Sequence, residues 1–259
     1  MSDYLKKIVD CDEVVMTWAR TIVKAVLRLL DRKLVYVPKG SVWGNDLEAD
    51  LATVVGRRDP VCIDVGANEG QTIRMLQGIF PAATIEAFEP SNECFARLAA
   101  EAWGNRVTCH HAGVGASAGS LQFKNYDAST LSSFLELDRN SSNPFHDVAL
   151  KEIHEVRVVT IDEFLESRCL ERVDLLKVDT QGFDFEVLKG SENSLDSGKI
   201  KSVLIELNFV PLYRNQGNAC EILSWVMARG FRLVDFYEKK RVNNGVQWCT
   251  ALFVHAEPR

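Results

Sequence analysis

Short apolar runs alternate with amphipathic segments along most of the chain after residue 45. A short apolar run bounded by turn residues is typical of a buried strand, and apolar residues three or four positions apart are typical of a helix. Strands are predicted at Val61–Ile63, Thr84–Phe88, Arg106–Val114, Leu121–Phe123, Val156–Val159, Val173–Val178, Ser202–Leu207, Phe231–Tyr237 and Cys249–His255. Helices are predicted at Asp46–Val55, Gln71–Ile79, Asn92–Glu101, Ile161–Ser167, Phe185–Lys189 and Cys220–Arg229. This alternation predicts an α/β fold, with a mostly parallel sheet and helices on both of its faces. Gly245 lies between the last two strands, which we therefore expect to pair antiparallel.

Two segments lie outside the alternation. The segment from Thr130 to Asp147 is polar and irregular, and we expect it to form a mobile lid. Residues 1 to about 34 have helical spacing, with a basic face that includes Arg20, Lys24 and Arg28. We therefore expect an N-terminal helical extension at residues 1–45 and a second domain at 46–259. The alternatives for the extension are packing on the domain with a solvated basic face, peripheral docking to an anionic membrane surface or an acidic partner, and homodimerisation.

Composition narrows the class of protein. The 259 residues are 46% hydrophobic and 25% charged, as expected for one α/β domain with an extension. The net charge of −6 disfavours nucleic acid as a partner, because such proteins usually carry a basic surface. The seven cysteines are scattered, without a Cys-x-x-Cys pair, and there is no signal peptide or uncharged run of membrane-spanning length. These features predict a cytoplasmic protein.

The segment VCIDVGANEG, Val61 to Gly70, carries the first functional signal. An apolar strand ending in Asp64 turns through Gly66, Ala67 and Asn68 into a helix. A glycine turn between a strand and a helix lets the backbone approach a ligand where a side chain would block it. The alternative is an ordinary strand–helix loop that needs glycine only for its conformation.

A second acid, Glu89 before Pro90, follows the next strand about 20 residues after the glycine turn, where a carboxylate can accept both hydroxyls of a ribose. A nicotinamide dinucleotide fold would usually show Gly-x-Gly-x-x-Gly, but here Asp64 stands where that pattern has its first glycine. A carboxylate there would repel a pyrophosphate and better suits the cationic methionine part of S-adenosylmethionine. The turn therefore favours methyl transfer over hydride transfer.

Further polar residues lie where strands end. Because ligands of open α/β sheets bind beyond the carboxyl ends of the strands, we expect Asp179 and Glu206 to lie near the cofactor. Asp179 is the first candidate for the base that removes a hydroxyl proton, and Glu206 or a histidine is the alternative. Lys177 points to the same side as Asp179 and could position the acceptor, or the two could form a structural salt bridge. A divalent cation on Asp179, Asp184 and Glu206 is a weaker alternative, so no metal ligands are assigned.

Several motifs occur in an order that resembles the FkbM-type S-adenosylmethionine-dependent methyltransferases. They are IDVGANEG, AFEPSNECFARL, VTCHHAGVGASAGSL, VDLLKVDTQGFDFEVLKG and VLIELN, which together cover roughly Val61 to Leu207. The resemblance implies a class I methyltransferase sheet, Rossmann-like, of seven mostly parallel strands with the last antiparallel. It also implies O-methylation, with S-adenosylmethionine as the cofactor.

The resemblance also implies roles for individual residues. The turn after the first strand would hold the methionine and ribose, Glu89 the ribose hydroxyls, and Ala112 to Val114 the adenine. The candidate cofactor-binding residues are Asp64, Gly66, Ala67, Asn68, Gly70, Glu89, Pro90, Gly113, Val114 and Asp179. The candidate catalytic residues are Asp179, Lys177 and Glu206. Gln181 departs from the glutamate that the family often has before Gly182, which puts a role for a charge there in doubt.

The predicted function is O-methyl transfer to a hydroxyl of a sugar, a glycan or a small natural product, by in-line displacement with a carboxylate base. A small-molecule or glycan acceptor is the expected partner. The alternatives are a non-catalytic S-adenosylmethionine-binding scaffold and a nicotinamide-dependent oxidoreductase or epimerase.

Overall fold

The computed structural model describes residues 43–140, 143–242 and 244–256. Its strands, numbered in chain order, are β1 Val61–Val65, β2 Thr84–Phe88, β3 Val107–His110, β4 Gly113–Val114, β5 Gly119–Tyr126, β6 Leu150–Val159, β7 Leu175–Val178, β8 Ser202–Asn208, β9 Phe231–Val242 and β10 Gly245–His255. Its α-helices are α1 Leu47–Val55, α2 Gln71–Ile79, α3 Asn92–Ala100, α4 Ile161–Ser167, α5 Asp184–Lys189, α6 Glu192–Asp196 and α7 Ala219–Ala228.

Seven strands form one sheet in the order β3-β2-β1-β7-β8-β10-β9. β10, the last strand, is antiparallel to both of its neighbours, whereas β3, β2, β1, β7 and β8 pair parallel. This confirms the predicted mostly parallel sheet with an antiparallel last strand. The strand order reverses between β1 and β7. A crevice therefore forms at the carboxyl ends of these two strands, which is where ligands of open α/β sheets bind.

The helices begin and end at residues suited to those positions. The Asp46 side chain accepts hydrogen bonds from the amides of Glu48 and Ala49 at the start of α1, which then ends at Gly56 in a left-handed conformation. Ser91 and Asn218 cap α3 and α7 in the same way. The first residues of α1, α3 and α7 thus lie within one residue of the predicted helix starts.

Two apolar layers enclose the large sheet. One lies under α1, α2 and α3 and includes Leu51, Leu76 and Leu98, and the other lies under α4 to α7 and includes Leu165 and Val226. Successive residues of a strand point to opposite faces. Asp64, Lys177 and Asp179 are therefore on the α1–α3 face, at the end of the sheet where the apolar layer stops.

The single strand predicted at Arg106–Val114 is wrong. The chain pairs with β2 only as far as His110, and Gly113–Val114 then pairs with β6 in a separate sheet of order β4-β6-β5. Gly113 permits this, because the Phe134 ring occupies the space that its Cβ would need. The short strands predicted at Leu121–Phe123 and Val156–Val159 are parts of the long antiparallel pair β5 and β6.

The expected lid, Thr130 to Asp147, is irregular but well packed in the described part. Leu131, Phe134 and Leu137 are buried, and Ser133 forms a β-bridge with Lys124. Its mobility remains a prediction. The N-terminal helix, its basic face and its docking partners lie outside the described residues. None of the described helices is long and apolar enough to cross a bilayer.

Candidate active site

The turn after β1 brings backbone rather than side chains to the edge of the sheet. The amides of Gly66 and Ala67 both donate to the carbonyl oxygen of Phe88 at 3.0 Å, which ties the turn to the end of β2. Gly66 has a φ of +83°, and a Cβ there would collide with the carbonyl oxygen of Asp179. Only glycine meets both conditions, so this position keeps the ends of β1 and β7 close together.

Below this turn a carboxylate and an ammonium group meet in the interior. Asp64 is fully buried, and Nζ of Lys177 lies 3.0 Å from its Oδ1. The contact lacks hydrogen-bond alignment, so among the described residues neither Asp64 oxygen receives a hydrogen bond. Nζ donates instead to the carbonyl oxygen of Gly66 at 3.0 Å. The ammonium group therefore fixes the turn while it offsets the charge of Asp64.

The pKa values of this pair follow from burial and from mutual attraction. Burial raises the pKa of Asp64, and the cation of Lys177 opposes that rise. Burial alone would lower the pKa of Lys177, but the charges of Asp64 and Asp179 outweigh it and raise the pKa above its ordinary value. Lys177 is therefore a permanent cation at neutral pH.

Glu89 is a buried carboxylate on the other side of the turn. Its Oε2 accepts from the Asn68 amide at 2.7 Å, and its Oε1 accepts from the Ser91 amide at 2.8 Å. Burial raises the pKa of Glu89 to about 7, although the two amide hydrogen bonds act in the opposite direction. Glu89 thus ties the glycine turn to Ser91, the residue that caps α3. Its carboxyl group titrates near neutral pH.

Asp179 follows β7 and is held by its neighbours while it stays partly exposed. The Gln181 side-chain amide donates to Oδ1 of Asp179 at 2.7 Å, and Lys177 lies 3.9 Å from Oδ2. The oxygen of the Gln181 amide lies 3.3 Å from the Tyr213 hydroxyl. An amide at position 181 can donate to a carboxylate, which a glutamate could do only when protonated. The departure from the family pattern thus has a structural use here.

Asp184 closes the turn after Asp179. Its two oxygens accept from the amides of Thr180 at 2.8 Å and Gly182 at 2.9 Å. Burial raises the pKa of Asp184 to about 6, and the nearby charge of Asp179 adds to the rise. Both oxygens are engaged in shaping the turn, and no metal-binding group of three His, Cys, Asp or Glu side chains occurs in the described part of the chain.

A cavity of about 280 Å³ lies over the carboxyl ends of β1, β2 and β7. This volume is near the lower end of small-molecule sites. Its walls are the glycine turn, the residues that follow β2 and β7, β4 and the segment after β5. They comprise Val65, Gly66, Ala67, Asn68, Gln71, Thr72, Phe88, Glu89, Pro90, Ala112, Gly113, Val114, Phe123, Ser129, Thr130, Ser132, Phe134, Lys177, Asp179, Thr180 and Gln181.

Most of the predicted site residues meet at this cavity, and three do not. Asp64 lies behind Lys177 in the interior. Gly70 caps α2 at a φ of +84°, and the Trp103 ring lies where its Cβ would be. Backbone conformation and packing therefore account for a glycine at this position, without a contact to the cofactor cavity. Glu206 lines a neighbouring cavity. Burial raises the pKa of Glu206 well above its ordinary value, and the charges of Asp179 and Asp184 add to this.

Sequence reasoning missed the wall built by the second sheet and the segment after it. Phe123, Phe134 and Ser129 line the cavity. Ser132 also lines it, whereas Ser133 is fully buried and donates to the Gln181 carbonyl oxygen at 2.8 Å. Phe123 belongs to β5, and the other residues come from a segment without the regular apolar spacing of a helix or strand, so the sequence did not show that they lie opposite the sheet edge.

No histidine of the described ranges lines this cavity. Nε2 of His110 lies 2.7 Å from Glu86, and the His111 ring stacks on Phe95. A ring nitrogen of His154 lies 3.2 Å from the carbonyl oxygen of Pro90, behind the cavity wall. The geometry therefore favours a carboxylate over a histidine as the base.

This strand order, with a reversed last strand and a cavity at the ends of β1 and β2, defines a class I methyltransferase fold. The chain matches the family model described as the methyltransferase FkbM domain over residues 64–233, and it belongs to that family. The resemblance found in the motifs is confirmed. S-adenosylmethionine is the cofactor of this class of enzyme.

Three relatives illustrate the similarity. Methyltransferase 1 of Beauveria bassiana is 30% identical over 162 residues, which cover 58% of this chain and 65% of that protein. Hexuronic acid methyltransferase AglP of Haloferax volcanii is 28% identical over 153 residues, covering 58% and 56%. The 2-O-methyltransferase NoeI of Sinorhizobium fredii is 25% identical over 174 residues, covering 64% and 70%. The chain thus spans less than two thirds of the length of the first two relatives.

Proposed function

We propose that the protein transfers the methyl group of S-adenosylmethionine to a hydroxyl group of a sugar, a glycan or a small natural product. The observation that carries the proposal is the pair of carboxylates on either side of the glycine turn. Glu89 is buried after β2, and Asp179 is partly exposed after β7. The first suits ribose hydroxyls, and the second suits a hydroxyl that must lose its proton.

The residues of the cavity fit the cofactor. Glu89 would accept the ribose hydroxyls, as such an acid does in nucleoside sites. Phe88, Phe134 and Val114 make the wall near β4 apolar, which suits the adenine ring.

Bound S-adenosylmethionine supplies an electrophilic methyl group on a sulfonium centre. The chain's own contribution is to hold the acceptor hydroxyl in line with that group, which can contribute on the order of 7–11 kcal/mol to the acceleration. Asp179 would accept the hydroxyl proton at its carboxylate, with Gln181 and Lys177 fixing the orientation. Glu206 is the alternative base.

The names of two relatives support the acceptor class. One is named for hexuronic acid, and the other for 2-O-methylation. The name 2-O-methyltransferase specifies methylation at an oxygen, and the name hexuronic acid methyltransferase specifies a sugar acid as the acceptor without saying which group is methylated. A non-catalytic scaffold would keep the cofactor cavity but would not need Asp179 at its open side. Membership in a methyltransferase family argues against the dinucleotide-dependent alternative.

Calorimetric titration with S-adenosylmethionine, S-adenosylhomocysteine and NAD tests the cofactor. We expect binding of the first two and loss of binding in Glu89→Ala, since a charge-assisted hydrogen bond contributes about 1.5–3 kcal/mol. Binding of NAD alone would contradict the proposal.

The catalytic step is tested separately with Asp179→Asn, which keeps the side-chain size. This variant should still bind S-adenosylhomocysteine, which has no sulfonium charge, while methyl transfer to hydroxylated acceptors falls at least about a hundredfold. Unchanged turnover in Asp179→Asn, together with lost turnover in Glu206→Gln, would move the base to Glu206. Cofactor binding without transfer to any acceptor would favour the scaffold.

A further inference from the structure

A second cavity of about 190 Å³ lies beside the cofactor cavity, on the sheet face covered by α1 and α2. The two cavities share the side chains of Gln71, Thr72, Lys177 and Asp179 as a common wall. The remaining lining comes from α1, α2, β7, β8, β9 and β10. It consists of Leu47, Met75, Val178, Leu204, Glu206, Glu238 and Thr250. A molecule bound there would lie across Asp179 from the cofactor.

This cavity has three carboxylates and one cation among its lining residues. The acids are Asp179, Glu206 and Glu238. The cation, Lys177, is already shared, since its Nζ lies 3.0 Å from Asp64 and 3.9 Å from Asp179. The acids of the lining therefore outnumber its one cation, and burial, with the charges of Asp179 and Asp184, raises the pKa of Glu206.

Each acid is fixed by a neighbouring side chain and keeps one oxygen for a ligand. Gln181 donates to Oδ1 of Asp179 at 2.7 Å, and the amide of Asn208 donates to Oε1 of Glu206 at 3.2 Å. The hydroxyl of Thr250 donates to Oε2 of Glu238 at 3.0 Å. The second oxygen of each receives no hydrogen bond from the described residues. Fixed acceptors with a free oxygen suit hydroxyl or ammonium hydrogens.

We infer that this second cavity is the acceptor subsite and that it selects hydroxylated molecules that are neutral or carry an amine, such as amino sugars, over uronic acids. The inference rests on the proposed methyl transfer. An acceptor carboxylate would have to sit beside three acids with no free cation in the lining. Like charges brought together at a binding site oppose association, whereas an ammonium group would be attracted. The acceptor named for the relative AglP is thus not expected here.

Glu238 gives the sharpest test because it is exposed at the mouth of the cavity and has no place in the proposed cofactor site or chemistry. Glu238→Lys reverses the charge there, and Glu238→Gln removes it. The matched control is Glu166→Lys, an equally exposed glutamate on α4, which packs on the other face of the sheet. Calorimetry with S-adenosylhomocysteine should give the native affinity in all three variants.

Three probes report the selection: methyl glucoside, and methyl glucosaminide and methyl glucuronide, each of which differs from the glucoside in one substituent. Their binding to the protein saturated with S-adenosylhomocysteine is measured by saturation-transfer NMR, and methyl transfer from labelled S-adenosylmethionine is measured in parallel. We expect the glucosaminide and glucoside to bind at least about tenfold more tightly than the glucuronide. Glu238→Lys should shrink this ratio at least about threefold, Glu238→Gln should shrink it less, and Glu166→Lys should leave it unchanged.

The outcomes separate the two proposals. Equal or tighter binding of the glucuronide, an unchanged ratio in Glu238→Lys, or binding of none of the probes overturns the inference. Ranked binding without methyl transfer to any probe supports the charge selection and contradicts the proposed function for these acceptors. Transfer that prefers the glucuronide supports the function and overturns the selection.

Discussion

Replacement of Lys177 by methionine tests the electrostatics of the site most directly. The substitution keeps the length of the side chain and removes the ammonium group 3.0 Å from Asp64. Asp64 is fully buried, so its charge would be left without compensation. Breaking a buried ion pair from one side costs about 3–5 kcal/mol, compared with a total stability of about 5–15 kcal/mol for a typical domain. We expect a loss of this size in Lys177→Met.

A double-mutant cycle separates the ion pair from the packing of the aliphatic side chain. Asp64→Asn removes the buried charge and should restore about 1–3 kcal/mol when it is combined with Lys177→Met. The control is Lys199→Met, which removes a partly exposed lysine 3.6 Å from Glu171 and should cost no more than about 1 kcal/mol. Urea unfolding followed by circular dichroism measures all of these free energies of unfolding.

The pH dependence of the same variant gives an independent test. Burial raises the pKa of Asp64 in the folded protein, and without Lys177 nothing opposes that rise. The folded state then binds a proton that the unfolded state does not, so the stability of Lys177→Met rises as the pH falls from 8 toward the ordinary pKa of an aspartate. If the loss is the same at pH 8 and pH 5 and Asp64→Asn recovers nothing, Asp64 is not a buried charge and the electrostatic reasoning is wrong.

Three further outcomes follow from the same contacts. Gly66→Ala should abolish cofactor binding in calorimetry, because its Cβ meets the Asp179 carbonyl. Gly56→Ala, also at positive φ but with only an ordinary van der Waals contact at its Cβ, should cost only about 1 kcal/mol of stability. Cofactor affinity should fall below pH 7 by up to about tenfold per pH unit. The reason is that Glu89, with a pKa of about 7, becomes protonated there and binds ribose hydroxyls less well; an affinity that stays constant from pH 8 to pH 6 would contradict this role. Gln181→Glu should move the acid limb of the pH–rate profile upward by about one pH unit, and Gln181→Met should lower the rate without that shift.

The central strands β1, β2, β7 and β8 were predictable because most of their residues are buried, so the strands appear as short, largely apolar runs. The predicted strand Thr84–Phe88 and the predicted helices Gln71–Ile79 and Ile161–Ser167 have the bounds that the structure shows. The acids at the strand ends could be found for the same reason, since each follows an apolar run. Glu89 and Asp179 lie at one cavity because carboxyl ends of parallel strands meet at one edge of a sheet.

The second sheet could not be predicted in the same way. β5 and β6 have exposed residues over much of their length, so they lack a long apolar run, and their pairing spans the irregular segment between them. The break between His110 and Gly113 lies inside the single strand predicted at Arg106–Val114 and depends on the distant Phe134 ring. Glu238 lies one residue beyond the predicted end of its strand at Tyr237, whereas β9 continues to Val242 and so brings Glu238 to the second cavity.

The acids of the site also explain why a cationic ligand is expected there. Burial raises the pKa of Asp64, Glu89, Asp184 and Glu206 together, so each of them makes the folded state bind protons more tightly than the unfolded state does. For Glu89 this lowers stability as the pH rises from its ordinary pKa of about 4.5 to about 7. Above their pKa values these acids are negatively charged, and the single cation of Lys177 offsets only part of that charge. A sulfonium ligand beside Asp179 would offset more of it, so cofactor binding should stabilise the protein more at pH 8 than at pH 5.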